Sequence, residues 1–165
     1  MNKRGIIQIG TSGWNYKHWA ERFYPEGLSQ KKWLSYYTER FATVEINNSF
    51  YNLPSEKTIE TWKETVPGSF IFSVKASRYI THMKKLNQPE ESFSRFFSRI
   101  KLLGGYLGPV LFQLPPHWRA NPGRLEDFLE MVSGRVRPVF EFRDKSWWND
   151  QVYEVLEKHM AAFCI

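Results

Sequence analysis

The 165-residue chain is 42% hydrophobic and 17% aromatic, with 7 Trp, which excludes wholesale disorder and suits one domain with a sizeable core. A net charge of +6 and a pI near 9.4 favour anionic partners, although Lys and Arg are spread along the chain as on a solvated basic surface. The single cysteine, Cys164, excludes an intrachain disulfide and a Cys-rich metal site.

In chain order, no long apolar stretch follows the basic start Met1–Gly5. Neither a signal peptide nor a membrane span is therefore expected, and the expected compartment is the cytoplasm. Residues 5–10 read as a first strand, and residues 31–41 as a helix with Trp33, Tyr37 and Phe41 on one stripe. Residues 43–50 read as a second strand, followed by a helix capped by Ser55, with Ile59, Trp62 and Val66 at helical spacing. Residues 70–76 form a third strand. The next helix, about 90–103, turns Phe93, Phe96, Phe97 and Ile100 inward and stops at Gly104-Gly105. Residues 110–114 are a fourth strand, after which Asn121-Pro122 supplies an N-cap and an N1 proline to a helix marked by Leu125, Phe128, Leu129 and Val132. A fifth strand at 138–143, a helix at 151–159 and the start of a sixth strand at 161–165 complete the chain.

Repeated strand–helix alternation implies a parallel sheet covered by helices. Strand parity then separates a barrel from an open doubly wound sheet, whose strands are apolar at nearly every position. Here Val44 and Ile46 oppose Glu45, Asn47 and Ser49; Phe72 and Val74 oppose Ser73 and Lys75. Val110, Phe112 and Leu114 oppose Gln113; Phe140 and Phe142 oppose Glu141 and Arg143; Ile7 and Ile9 oppose Gln8. In a (β/α) barrel the apolar parity packs on the outer helices and the other parity fills the lumen. The expected fold is thus a single α/β domain over residues 1–165, a TIM-type barrel that is incomplete at about five and a half of its eight βα units. Its expected site is polar, charged and set at the carboxyl ends of the strands.

Six segments also resemble a known family in order along the chain: Gly10-Thr-Ser-Gly-Trp14, Phe23-Tyr-Pro25, Val44 to Tyr51, Val74 to His82, Leu111 to Pro116, and Phe140-Glu-Phe-Arg143 with Trp147. They resemble the domain-of-unknown-function seventy-two, or YecE-like, family. The resemblance implies a TIM-type barrel longer than this chain, so a fragment or truncated product is expected, lacking the last two strands. It implies no reaction.

The lumen candidates follow from parity. Glu45 and Glu141, from non-adjacent strands, can act as paired carboxylates or as ligands of a divalent metal such as Mg or Mn; alternatively they neutralise Lys75 and Arg143 in an ionic network. Pairing of these charges is expected in the resting state, because an unpaired buried charge is costly. Asn47 shares the face of Glu45 and can orient a ligand, and Gln113 joins the same lumen. Lys75 can hold an anion as a point charge or serve as a base, with Arg78 and His82 in the loop that follows it. Lys84 and Lys85 read as a solvated face, and no HxH or HExxH spacing marks a metal site.

Trp14, Tyr51 and Trp147 follow their strands and either stack on a base or sugar at the mouth or pack over the rim. No phosphate-loop fingerprint occurs. These residues suit an enzyme-like barrel for an anionic small molecule or nucleic acid, with phosphodiester hydrolysis as the reaction. An enzyme on a sugar or small carbonyl compound, and a non-catalytic scaffold with a structural ionic lumen, are the alternatives.

Overall fold

The computed structural model describes residues 6–165. Six strands, β1 (Gly10–Thr11), β2 (Thr43–Ile46), β3 (Ile71–Lys75), β4 (Leu107–Gln113), β5 (Pro138–Glu141) and β6 (Ala162–Cys164), form one parallel sheet. Its spatial order is β1-β2-β3-β4-β5-β6, each strand pairing with the next in sequence. An open doubly wound sheet reverses its strand order at a switch point; this sheet never does, and it curls into half of a TIM-type barrel. Between the strands run α1 (Trp33–Thr38), α2 (Glu56–Thr65), α3 (Glu90–Ile100), α4 (Pro122–Val132) and α5 (Asp150–Lys158).

The helices begin where the chain offers side-chain acceptors to otherwise orphaned N–H groups. Ser55 Oγ accepts from Thr58 N–H at 3.0 Å, Asn121 Oδ1 from Arg124 N–H at 3.0 Å, and Asn149 Oδ1 from Val152 N–H at 3.1 Å. The cap at Asn149 starts α5 one residue before the expected Gln151. Beyond α3 the chain tightens into a 3-10 turn, and Gly104, at φ 55°, breaks the helical path as its lack of a Cβ permits.

Strand parity predicts the core. Val44, Ile46, Phe72, Val74, Val110, Phe112, Leu114, Phe140 and Phe142 are all buried, on the side that carries the helices. Gly108 lets β4 approach β3: a Cβ there would stand 2.5 Å from Ile71 Cγ2 and 2.9 Å from the Phe72 carbonyl oxygen. Tyr37 of α1 ties the first two strands together. Its hydroxyl donates to Thr43 O at 3.0 Å and accepts from Thr11 N–H at 2.9 Å.

Three expectations about strands need correction. The first strand pairs only at Gly10–Thr11; Gly5 lies outside the described residues, and Ile7 and Ile9 are 89% and 72% exposed. Among the described residues the alternation of Ile7 and Ile9 against Gln8 therefore buries nothing, and β1 is an edge strand paired with β2 alone. β2 stops at Ile46: Asn47 takes a helical φ/ψ (−88°, −30°) and opens a 3-10 turn over Asn48–Phe50. That turn takes Ser49 out of the lumen and buries it, donating to the carbonyls of Ile46 at 2.8 Å and Lys75 at 2.6 Å. β5 likewise ends at Glu141, two residues early, which leaves Arg143 exposed beyond the strand.

Candidate functional site

The polar parity converges on the concave face, at the carboxyl ends of the strands. Register pairs Glu45 with Ser73, Gln113 with Glu141, and Glu141 with Cys164, so these side chains share one face of the sheet. Lys75, the last residue of β3, pairs in register with Leu111.

Glu141 is the anchored acid. Gln113 Nε2 donates to its Oε2 at 2.7 Å, and Arg143 Nε donates to its Oε1 at 2.8 Å. Burial alone would raise its pKa, but the hydrogen bonds from Gln113 and Arg143 and the charges of Arg143 and Lys75 outweigh burial and hold it below the ordinary carboxylate value. Glu45 behaves in the opposite way. Burial pushes its carboxyl up, against the pull of Lys75 and a hydrogen bond from Ser12 Oγ at 3.3 Å, and the negative charge of Glu141 adds to the rise. Ser12 is itself clamped by Asn47, whose Nδ2 donates to Ser12 Oγ at 2.7 Å and Ser12 O at 2.9 Å. Asn47 thus serves the acid through Ser12, a residue that parity could not reveal because it lies in the loop after β1.

Lys75 departs from the expected pairing. Among the described residues it has no carboxylate within 4.0 Å; its Nζ lies 5.2 Å from the centroid of the Phe50 ring. Partial exposure leaves the ammonium solvated, so the cost of an unpaired buried charge does not arise. The Phe50 ring also meets His82, in edge contact at 5.1 Å. Thr81 Oγ1, buried, donates to Ser77 O at 3.2 Å and lies 2.9 Å from His82 Nδ1. With the hydroxyl proton given to Ser77 O, the tautomer that completes the network carries its proton on Nδ1 and leaves Nε2 as the acceptor. Burial lowers the His82 pKa first, and the charges of Arg78, Arg143 and Lys75 lower it further against the opposing charge of Glu141. His82 is therefore held neutral at the edge of a cationic field.

Of the two roles open to the aromatics that follow the strands, Trp147 takes packing. Trp147 is fully buried, parallel to Phe142 at 4.9 Å, with Nε1 donating to Trp118 O at 2.6 Å. It is a packing residue and cannot stack on a ligand, because burying its indole satisfies both its area and its single donor. Trp14 packs edge-on to Trp62 at 5.2 Å and lines a cavity of about 540 Å³ together with Glu45, Asn47 and Trp62. Tyr51 is 75% exposed but lines a different cavity, beside α3. Among the described residues, the cluster of three acids and histidines with ligand atoms within 4.8 Å is Glu126, Glu130 and His159 on α4 and beyond α5; Glu45 and Glu141 belong to no such cluster. Residues that sequence reasoning missed are Ser12, Thr81 and Cys164. Only Cys164 had a signal, its place on the same parity as Glu141 once β6 is aligned.

Residues 8–165 match the model of the family described as "Protein of unknown function DUF72". The chain belongs to the DUF72 family. It is similar to UPF0759 protein YunF of Bacillus subtilis, with 30% identity over 95% of this chain and 57% of that protein. Similarity to UPF0759 protein YecE of Escherichia coli K12 is 27% over 84% of this chain and 48% of that protein. The chain thus spans about half the length of these curated relatives. A DUF72 family crystal structure from Thermotoga maritima superposes with a TM-score of 0.79 at 27% identity, covering 96% of this chain and 64% of that one. A second, from Enterococcus faecalis, shares the fold with a TM-score of 0.75 at 16% identity. Among the described residues of this DUF72 chain, no helix is long and apolar enough to cross a membrane.

Proposed function

We propose that this DUF72 chain binds a phosphate-bearing ligand, nucleic acid in particular, across the carboxyl ends of β2, β3 and β5, and hydrolyses a phosphodiester there. One observation carries the reading: Lys75, Arg78 and Arg143 act together on His82, and among the described residues only Arg143 has a carboxylate partner. These three cations stand against two acids, Glu45 and Glu141, and an anionic backbone neutralises such an excess. The opposed pKa shifts of Glu45 and Glu141 support proton transfer at the same place, since environments that separate two carboxylates assign them different roles.

In this scheme Lys75 and Arg78 hold the phosphate, and Glu141 keeps Arg143 oriented. Water attacks phosphorus and loses its proton to Nε2 of neutral His82. The bond from phosphorus to the leaving oxygen breaks, and that oxygen takes the proton of Glu45, the acid whose burial keeps it protonated higher than usual. The test is cleavage of a labelled abasic duplex by wild type, Glu45→Gln and His82→Ala. Either substitution is expected to slow cleavage about a hundredfold, the typical share of one general acid or base, with binding retained. Cleavage by both variants at the wild-type rate would reject the scheme.

A further inference from the structure

A second cavity, of about 670 Å³, lies outside the lumen, between α3 and the turns that follow β2 and β3. We propose that it is a binding site for a mononucleotide, a planar ring carrying a phosphate monoester. Its volume falls within the range of small-ligand pockets.

Two exposed rings line it, Tyr51 at 75% and Tyr79 at 45% exposure. The Phe50 ring meets Tyr51 edge-on at 4.9 Å. Exposed tyrosines of this kind supply stacking to a base. Beside them are cations with nothing to neutralise. Lys84 Nζ sits 5.8 Å from the centroid of the Tyr79 ring, and Arg95 projects from α3; among the described residues neither side chain donates a hydrogen bond or has a carboxylate within 4.0 Å. Arg99, by contrast, is occupied by Pro54 O at 2.7 Å and Glu56 at 3.9 Å. Glu91 is the one acid of the lining, and it pairs with none of these cations.

The wall that carries Lys84 has an unusual backbone. A π-helical turn spans Tyr79–Met83, and Lys85, Leu86 and Gln88 follow with φ of 49°, 60° and 43°. Three left-handed residues without glycine are strained, and such strain and π-turns gather at binding sites. Buried Leu86 pins the segment in place, so that Lys84 is held beside the Tyr79 ring in advance of a ligand. An adjacent ring and ammonium match an adjacent base and phosphate.

The lining includes none of Glu45, Lys75, His82 or Glu141, so the site stands or falls apart from the lumen. The probe is adenosine 5′-monophosphate, titrated by calorimetry into wild type, a Lys84→Ala/Arg95→Ala double variant and Lys63→Ala, with each fold checked by thermal unfolding. Lys63 pairs with Glu60 on α2 and lines neither cavity. Expected is saturable binding, weakened about tenfold or more in the double variant and for adenosine without its phosphate, and unchanged in Lys63→Ala. Arg95→Lys, which keeps the charge, is expected to retain most of the affinity. No saturable binding, equal affinity in the double variant, or an equal loss in Lys63→Ala would each overturn the site.

Discussion

Arg143 Nε lies 2.8 Å from Glu141 Oε1, across the point where β5 ends and its chain turns away from the sheet. The pair joins a strand residue to a loop residue, so it fixes both the ionised state of the acid and the direction of the guanidinium. Because the folded-state pKa of Glu141 is lowered, its stabilising contribution is present above the unfolded value near 4.5 and is lost as pH falls through the folded value. The Arg143 side chain is 48% exposed, so screening holds the effect to roughly 1 kcal/mol or less. Urea unfolding is expected to show Glu141→Gln less stable than wild type at pH 7, with the gap closing in acid.

Glu45 has the opposite sign. A raised folded-state pKa means that its favourable contribution exists below the unfolded value and disappears as pH rises through the folded one. Glu45→Gln is therefore expected to match or exceed wild-type stability at pH 7 and to bring no gain in acid, while slowing turnover. A variant that loses activity as it gains stability identifies a residue kept for chemistry. The measurement is a pair of urea titrations on either side of the Glu45 transition.

Cys164 tests whether the lumen acids share one field. Burial raises its thiol pKa, and Glu141 and then Glu45 raise it further. Wild type is expected to react slowly with iodoacetamide at pH 8, and Glu141→Gln several-fold faster. Identical rates would place the thiol beyond the reach of that carboxylate.

Parity made the barrel readable from the sequence, because residues two apart on a strand must share a face and the buried set is uniformly apolar. Lumen membership of Glu45, Lys75, Gln113 and Glu141 came from the same rule. What the rule could not reach were the strand ends. Asn47 leaves β2 through a helical φ/ψ, which buries Ser49 and makes Ser12 the partner of Glu45. Trp147 meets the same limit, since its place after a strand left stacking at the mouth and packing over the rim both open. The capped turn at Asp144, whose Oδ1 accepts from Ser146 N–H at 3.0 Å, folds the indole down against Phe142. Loop conformation decides such cases, and alternation carries no record of it.

The edge of the sheet depends on one hydroxyl. Tyr37→Phe keeps the ring but leaves the Thr11 N–H and the Thr43 carbonyl without their shared partner. A loss of about 0.5–1.5 kcal/mol is expected in denaturant unfolding, the net worth of a hydrogen bond between partly buried groups.

Fluorescence anisotropy of labelled single-stranded and abasic duplex oligonucleotides tests the proposed function most directly, with wild type and Lys75→Ala compared at about 50 and 200 mM salt. Predicted is micromolar or tighter binding by wild type that weakens steeply with salt and is reduced in Lys75→Ala with a smaller salt slope. Folded wild-type protein that shows no binding at the lower salt, or binds as tightly without the Lys75 ammonium, would contradict it.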